Sequence, residues 1–179
     1  KQLSKNYVVV GIDSLEKKNS SKLSIDRINI LKRYSNFSFK KINIADFKGL
    51  KSLFIKNKFF AVINLAATPG VRDSFNNPDI YFKNNILGFY NIYLLSLKNK
   101  TSIFLFGSSS SVYGNNKNLN TDNPISFYAA TKKCNEIISH SFIQSLNTKI
   151  VGMRFFTVYG PWGRPDMAVY KFSRNIDLN

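Results

Sequence analysis

The sequence predicts an α/β fold built on a doubly wound parallel sheet. Short apolar runs rich in β-branched residues alternate along the chain with segments of helical periodicity, a pattern typical of repeated βαβ units. Small or hydroxyl-bearing residues directly follow two of these runs, at the strand ends where ligands bind in open α/β sheets. The chain has 179 residues, enough for one domain with a sizeable core.

The first half of the chain predicts two strands, each followed by a helix. Residues 7–13 form an apolar run ending in an acid, which predicts a parallel strand covered on both faces. Spaced apolar residues over 24–34 predict a helix, and the alternation over 37–44 predicts a second strand. Asp46 is placed to cap a helix that extends to about Asn57.

The middle of the chain predicts a buried strand, a tight turn and a long helix. Residues 60–65 predict the strand, and the small residues at 66–70 let a ligand approach the backbone. The helix is predicted from Pro78 to about Lys98. Its predicted apolar face consists of Phe82, Leu87, Tyr90, Leu94 and Leu97. The remaining predicted elements are a strand at 103–106, a serine-rich stretch at 107–114, a helix over 126–146, a strand at 149–154, a Gly/Pro-rich loop at 155–166 and a helix over 167–177.

The composition limits the classes of partner. The net charge is +16, with 26 Lys and Arg against 10 Asp and Glu, but the lysines are scattered along the chain. A nucleic-acid-binding protein more often concentrates its basic residues on one element, so we expect no nucleic-acid partner. A lysine-rich compositional bias explains the charge, and a phosphate-bearing ligand would tolerate the positive field.

Cysteine, histidine and hydropathy exclude other kinds of site. A single cysteine, Cys134, cannot form an internal disulfide and suits the reducing cytoplasm. With only His140 beside it, a His/Cys metal site is not expected, and both are predicted to be structural helix residues. No apolar run approaches the roughly 18 residues that a membrane span requires, so we expect no membrane partner.

A tyrosine, a lysine and a run of serines are the candidate chemical groups. Tyr128 and Lys132 are four residues apart on a predicted helix and therefore share one face. Ser109 lies at a strand end, and such a trio suits proton transfer to and from a hydroxyl group. The lysine charge favours the phenolate and lowers a tyrosine pKa that is normally about 10. From the spacing alone, a serine-rich turn beside an ordinary amphipathic helix remains an equal alternative.

Other residues at strand ends and in loops are weaker candidates. Asp13 can bond the two ribose hydroxyls of an adenosine, which selects NAD over its 2′-phosphorylated form; a solvated loop acid is the alternative. Residues 65–67 can lie in van der Waals contact with a bound dinucleotide or simply form a tight turn. Asn84 can reach a ribose or face solvent. Arg72 and Arg164 can clamp a carboxylate or a diphosphate or remain surface residues.

Several blocks together resemble the extended short-chain dehydrogenase/reductase family of NAD-dependent nucleotide-sugar epimerases and dehydratases. The resemblance runs from about residue 7 to 176 and lies in residues 10–13, 64–67, 70–72, 108–114, 128–132 and 154–167. The last block is long and specific to the branch that epimerises sugar acids. The resemblance implies a Rossmann-like fold with bound NAD, and the start of a substrate-binding region at about residues 155–179.

The resemblance also implies residue roles. Tyr128 is expected to be the catalytic base, and Lys132 its activator and a ligand of the nicotinamide ribose. Ser109, helped by Ser110, is expected to hold the sugar hydroxyl, and Thr157 to contact the substrate near the reacting carbon. The further expected substrate ligands are Arg72 and Arg164, with Arg164 on the sugar carboxylate. The expected NAD-site residues, besides Tyr128 and Lys132, are Asp13, Asn43, Ile44, Leu65, Ala66, Ala67, Asn84 and Phe156. The family usually has Asp where Asn43 stands, against adenine.

The implied reaction is the conversion of UDP-glucuronate to UDP-galacturonate, through transient oxidation at C4 by bound NAD. Family members that eliminate water carry an acid just before the Val-Tyr-Gly piece, where this chain has Ser110 and Ser111, so a nucleotide-sugar dehydratase is disfavoured. Another UDP-sugar 4-epimerase, acting on UDP-glucose and UDP-galactose, is the alternative enzyme. An inactive remnant or binding module is the alternative of another class.

Two parts of the family pattern are expected outside this chain. The family's first strand and its glycine-rich pyrophosphate loop would precede Lys1, and the substrate domain would continue past Asn179. We therefore expect a fragment of an enzyme that is a homodimer when full length. Loss of the first strand would leave a gap in mid-sheet, so the isolated piece is expected to bind NAD poorly and to have little activity.

Overall fold

The computed structural model describes residues 3–16, 21–115, 119, 122–142, 147–163, 165 and 167–177. The chain forms two compact units, one combining Lys1–Lys41 with Thr157–Asn179 and the other consisting of Ile42–Phe156. Parallel strands and helices alternate in chain order, which confirms the predicted α/β class.

The predicted helices and strands occur in the predicted order, with ends that differ by a few residues, and two four-residue helices at 3–6 and 73–76 were not predicted. In chain order they are α1 (Leu3–Asn6), β1 (Val9–Asp13), α2 (Ser21–Leu31), β2 (Phe37–Lys41), α3 (Phe47–Lys56), β3 (Ala61–Asn64), α4 (Asp73–Asn76), α5 (Pro78–Tyr81), a π-helical turn (Phe82–Leu87), α6 (Gly88–Lys98), β4 (Ile103–Ser109), a 3₁₀ turn (Ser110–Tyr113), α7 (Phe127–Ser141), β5 (Lys149–Phe155) and α8 (Ala168–Asp177). The side chain of Asp46 accepts a hydrogen bond from the Lys48 amide at 3.1 Å, so the predicted cap of α3 is confirmed.

The described strands lie in two parallel sheets. β1 pairs with β2 in the first unit, and the second unit has the order β3-β4-β5. The predictions that β1 is covered on both faces and that β3 is buried are wrong, because β1 is only half-buried and Ile63 in β3 is 42% exposed. Each of these strands lies at the edge of a small sheet, so it has fewer neighbours to cover its side chains than a central strand has.

The long helix buries a different face from the one predicted. Of the predicted apolar face, Phe82, Leu87 and Tyr90 are exposed, and Leu94 and Leu97 are half-buried. The buried stripe instead combines aromatic and aliphatic residues with small and polar ones, namely Tyr81, Asn85, Gly88, Phe89, Ile92 and Ser96. A prediction from apolar periodicity does not count Asn85, Gly88 and Ser96 as buried residues, and this is why it failed. Gly88 is needed because a Cβ there would lie 2.7 Å from Ile44.

An aromatic core joins α6, β4 and α7. The ring centroids of Phe89 and Phe106 are 5.1 Å apart, and those of Tyr93 and Phe104 are also 5.1 Å apart. The Tyr93 hydroxyl donates to the carbonyl oxygen of Ser139 in α7 at 2.9 Å, and burial raises the pKa of Tyr93 to about 12. Because buried aromatic pairs have preferred geometries, this core fixes the strand and the helix that carry the candidate site.

Candidate active site

The candidate site lies where β4 ends and α7 begins. The hydroxyl of Ser126 caps α7 by accepting a hydrogen bond from the Ala129 amide at 3.1 Å, which places Tyr128 in the first turn. At the end of β4, the Ser109 hydroxyl accepts from the Ser111 amide at 3.2 Å and caps the 3₁₀ turn. Gly114 ends this turn at φ 64°, where a Cβ would lie 2.0 Å from the Asn123 carbonyl oxygen, so only glycine fits.

Lys132 is buried between α7 and the end of β4. Its side-chain nitrogen donates to the carbonyl oxygen of Gly107 at 2.8 Å and lies 5.9 Å from the ring centroid of Tyr128. The residue is 6% exposed, and this burial lowers the pKa of Lys132 to about 8. At pH 7 the amine is still mainly protonated, so a desolvated positive charge lies beside the tyrosine ring.

The serines at the strand end have different hydrogen-bonding roles. The Ser108 hydroxyl donates to a carboxylate oxygen of Glu136 at 2.5 Å, so its hydrogen is already used. Ser109 accepts a hydrogen bond, and a hydroxyl that accepts still has its own hydrogen to donate to a ligand. Both residues are buried, whereas Ser110 and Ser111 are half-buried.

Two asparagines in the π-helical turn connect the 66–70 loop to α7. Asn84 donates to the Thr68 hydroxyl at 2.9 Å, so within the protein it contacts this loop. The buried Asn85 donates to Thr131 in α7 at 3.1 Å and accepts from the Thr68 amide at 2.7 Å. Thr131 in turn donates to the Tyr128 carbonyl oxygen at 2.7 Å. Asn85 is not among the predicted site residues, because its position in a π-turn, which is common at functional sites, cannot be seen from periodicity.

Tyr81 packs against Tyr128 from α5. The two rings meet edge to face with centroids 6.2 Å apart, and Tyr81 is fully buried. Its hydroxyl donates to the Pro69 carbonyl oxygen at 2.9 Å, which fixes the small-residue turn after β3. Arg72 is exposed just before α4.

A charged cluster lies behind the serine run and was also missed. Arg154, at the end of β5, donates to both carboxylate oxygens of Glu136 at 2.9 and 2.7 Å and to both of Asp122 at 2.7 and 2.9 Å. Lys133 makes an additional ion pair with Asp122. The Arg154 guanidinium also lies over the Tyr113 ring, 4.6 Å from its centroid. Arg154 is 18 positions from Glu136 and 32 from Asp122 in the sequence, so local patterns give no sign of the cluster.

The ionisation of the cluster follows from its contacts. Burial alone would raise the pKa of Glu136, but hydrogen bonds from Arg154 and Ser108 outweigh it and lower that pKa. Hydrogen bonds from Arg154 and Lys133 likewise lower the pKa of Asp122. Both carboxylates are therefore ionised at neutral pH, and the pKa of Arg154 is raised above its usual value, chiefly by its hydrogen bond to Glu136.

The remaining predicted site residues lie at strand ends or in loops. Asp13 is exposed at the end of β1, and one of its carboxylate oxygens accepts from the Leu15 amide at 2.8 Å. The side-chain oxygen of Asn43 accepts from the Ala45 amide at 2.8 Å, and Ile44 is buried. Five other predicted site residues are exposed or half-buried, namely Leu65, Ala66, Ala67, Phe156 and Thr157.

The predicted site residues are divided between the two units. Thr157 belongs to the first unit with Asp13, whereas Tyr128, Lys132 and Ser109 belong to the second. Arg164 lies outside the described residues.

The described part of the chain contains neither a metal-binding cluster nor a membrane-spanning helix. No group of three His, Cys, Asp or Glu side chains there is arranged to hold a metal ion. None of the helices found there combines the length and apolar character needed to cross a membrane.

Comparison with known proteins gives a consistent family. The model of the NAD dependent epimerase/dehydratase family matches residues 1–179. The protein CapI of Staphylococcus aureus is 41% identical over 98% of this chain and 54% of its own length. The UDP-glucuronate 4-epimerase of Thermodesulfobacterium geofontis is 38% identical over 97% of this chain and 55% of its own length.

A solved structure extends the likeness to three dimensions. The UDP-glucuronic acid 4-epimerase from Bacillus cereus, in complex with UDP-glucuronic acid and NAD, is 33% identical with a TM-score of 0.86. The match covers 99% of this chain and 58% of that one. The chain thus spans 54 to 58% of the length of these three relatives.

Proposed function

Because the chain belongs to the NAD-dependent epimerase/dehydratase family, we propose that it forms the NAD-binding part of a UDP-sugar 4-epimerase whose substrate is UDP-glucuronate. The proposal is supported by UDP-glucuronate 4-epimerases at 38 to 41% identity and by the Bacillus cereus structure. The observation that carries it is the burial of Lys132 between the Tyr128 ring and the end of β4, beside the serine run.

Three side chains take part in the transfer of the proton of the sugar C4 hydroxyl. Tyr128 accepts the proton of the C4 hydroxyl and later returns it. Lys132 places a positive charge beside the Tyr128 ring, and its bond to Gly107 holds this charge in place. Ser109 donates its free hydroxyl hydrogen to the C4 oxygen, which orients the sugar and counters negative charge that develops there.

The described residues fit several parts of an NAD molecule. Asp13 is exposed at the carboxyl end of β1 and has one carboxylate oxygen that no described amide uses, which suits an adenosine ribose. Ala66 and Ala67 offer small side chains where β3 ends. Bound NAD supplies hydride acceptance from C4 and hydride return to the opposite face of the sugar.

The substrate assignment rests on the family resemblance and on two arginines. Arg164 is the proposed ligand of the sugar carboxylate, since a guanidinium can bind it through two parallel hydrogen bonds, and Arg72 is a further proposed ligand. Thr157 contacts the substrate near C4 in this proposal, within a substrate-binding region that begins at about residue 155. Ser110 and Ser111 in the 3₁₀ turn provide no carboxylic acid for the elimination of water, so a dehydratase is not favoured.

The test is a product assay on the protein that carries this chain, expressed with the flanking sequence of its reading frame. It is incubated with UDP-glucuronate and NAD⁺, and NMR identifies the sugar products. We expect UDP-galacturonate, with no net NADH. Arg164→Ala should reduce kcat/KM for UDP-glucuronate far more than for UDP-glucose. Turnover of UDP-glucose alone would instead assign the neutral-sugar epimerase, and a 4-keto-6-deoxy product would assign a dehydratase.

A further inference from the structure

Two side chains of α7 hold successive residues at the end of β4. Lys132 donates to the backbone oxygen of Gly107 at 2.8 Å, and Glu136, one helical turn later, accepts the Ser108 hydroxyl at 2.5 Å. Side chains four residues apart lie on one helical face, so both bonds fix the same register between helix and strand. The next residue of the strand is Ser109.

Arg154 extends this connection to β5 and to the 3₁₀ turn. It donates to both oxygens of Glu136, and its guanidinium lies over the ring of Tyr113. Asp122 accepts the remaining charged hydrogen bonds of Arg154 at 2.7 and 2.9 Å. One guanidinium on β5 therefore contacts α7 and the 3₁₀ turn directly, and it is linked to β4 through Glu136.

The contacts of Glu136 exclude a role as a proton-transfer group. One oxygen accepts from Ser108 and Arg154, and the other accepts from Arg154. Its side chain is 17% exposed, and an ionised carboxylate with these partners is held in the accepting state. A group in this state can fix geometry, but it cannot take up a proton without breaking the cluster.

We propose that Glu136, held by Arg154, is a positioning residue that sets the separation between Ser109 on β4 and Tyr128 on α7 through the Ser108 hydroxyl. The inference rests on the proposed function, because it assigns Ser109 and Tyr128 to one substrate hydroxyl. A displacement of about 1 Å between reacting groups can cost roughly 100-fold in rate, so a firm register has a direct catalytic consequence.

The test uses two variants and a matched control. Ser108→Ala removes the hydroxyl but leaves Glu136 paired with Arg154, and Glu136→Gln removes the charge at nearly constant shape. Tyr93→Phe is the control, because it removes a buried hydrogen bond between α6 and α7 and lowers stability away from the serine run.

The first readout is amide hydrogen exchange by NMR on the protein that carries this chain, which requires no activity. Ser108→Ala and Glu136→Gln should speed exchange at residues 107–111 at least tenfold more than Tyr93→Phe does. The second readout is steady-state kinetics of the active protein. Ser108→Ala should lower kcat about tenfold and Glu136→Gln about 10- to 100-fold, with KM within twofold and the pH profile of kcat unmoved.

The two proposals fail in different ways. If the exchange rates at 107–111 match those of Tyr93→Phe, or if kcat stays within twofold in both variants, the positioning role is overturned. If exchange responds as expected but the wild-type protein forms no UDP-galacturonate, the register role of Glu136 stands and the proposed reaction fails. A shifted pH profile in Glu136→Gln would also overturn the proposal, since it would show that Glu136 itself titrates in catalysis.

Discussion

The side-chain nitrogen of Lys132 lies 2.8 Å from the carbonyl oxygen of Gly107. This bond spans 25 positions of sequence and joins the helix of the candidate base to the strand of the candidate serines. It also explains how a lysine can be buried: the amine gives up most of its water but retains one strong backbone acceptor. The burial of Lys132 beside Tyr128 should affect the unfolding free energy, its pH dependence and the catalytic rate, and each can be measured separately.

Replacing Lys132 with Met should change the pH dependence of stability. Because burial lowers the pKa of Lys132 to about 8, the unfolded chain binds more protons than the native one between about pH 8 and 10.5, and native stability rises with pH there. Each pKa unit corresponds to about 1.4 kcal/mol, so the unfolding free energy of the wild-type protein should rise by about 3 kcal/mol over this range. Lys132→Met should lack this rise.

Urea unfolding of both proteins at pH 7, 9 and 10.5 measures this difference. The unfolding free energy of the variant, relative to that of the wild-type protein, should be highest at pH 7, because the wild-type protein there bears the cost of a buried charge. Equal changes in both proteins across this range would mean that Lys132 is not desolvated as the structure has it.

Replacing Tyr128 with Phe should abolish most of the proposed activity without loss of the fold. The variant keeps the edge-to-face contact with Tyr81 and loses only the hydroxyl. General acid–base groups contribute about 10²- to 10⁴-fold, so kcat should fall by that amount while the urea midpoint changes little. Tyr90→Phe, on the exposed side of α6, serves as the control. Full activity in Tyr128→Phe would contradict its role as the base.

The charged cluster should make the protein sensitive to acid. The folded-state pKa values of Glu136 and Asp122 are lowered, so their contribution is fully present above the unfolded pKa of about 4 and is lost as pH falls through the folded values. Glu136→Gln should therefore show a smaller drop in unfolding free energy between pH 6 and 3. Chemical denaturation at several pH values measures this slope, and Asp79→Asn, an exposed carboxylate of α5, is the matched control. A slope equal to that of wild type would contradict the ion pairs.

The sequence predicts those features that depend on residues near one another in the chain. The cap at Asp46 and the shared face of Tyr128 and Lys132 involve residues two and four positions apart, and the structure has them. The contacts of Arg154 with Glu136 depend instead on which strand end meets which helix. No local pattern carries this information.

The buried face of the long helix shows a second limit of the sequence. Hydropathy favours Phe82, Leu87 and Tyr90, yet the buried stripe includes Asn85 and Gly88. Asn85 is buried because its amide satisfies backbone groups of the 66–70 loop, and Gly88 because Ile44 fills the space of a side chain. Such residues are buried for reasons of hydrogen bonding and close approach, which an apolar pattern does not record.

Asn85 should therefore be more important for stability than its polarity suggests. Its amide accepts from the Thr68 amide and donates to the Thr68 carbonyl oxygen and to the Thr131 hydroxyl. Asn85→Ala would remove the partner of the Thr68 amide and of the Thr68 carbonyl oxygen, and a buried group left without a partner costs about 1–3 kcal/mol. The unfolding free energy should fall by about 2–4 kcal/mol in urea titrations, against little change in Asn76→Ala, an exposed asparagine at the end of α4. Because Thr131 bonds the Tyr128 carbonyl oxygen, the variant should also speed amide exchange in the first turn of α7. A loss below 0.5 kcal/mol with unchanged exchange would mean that the loop and the helix are not joined through this side chain.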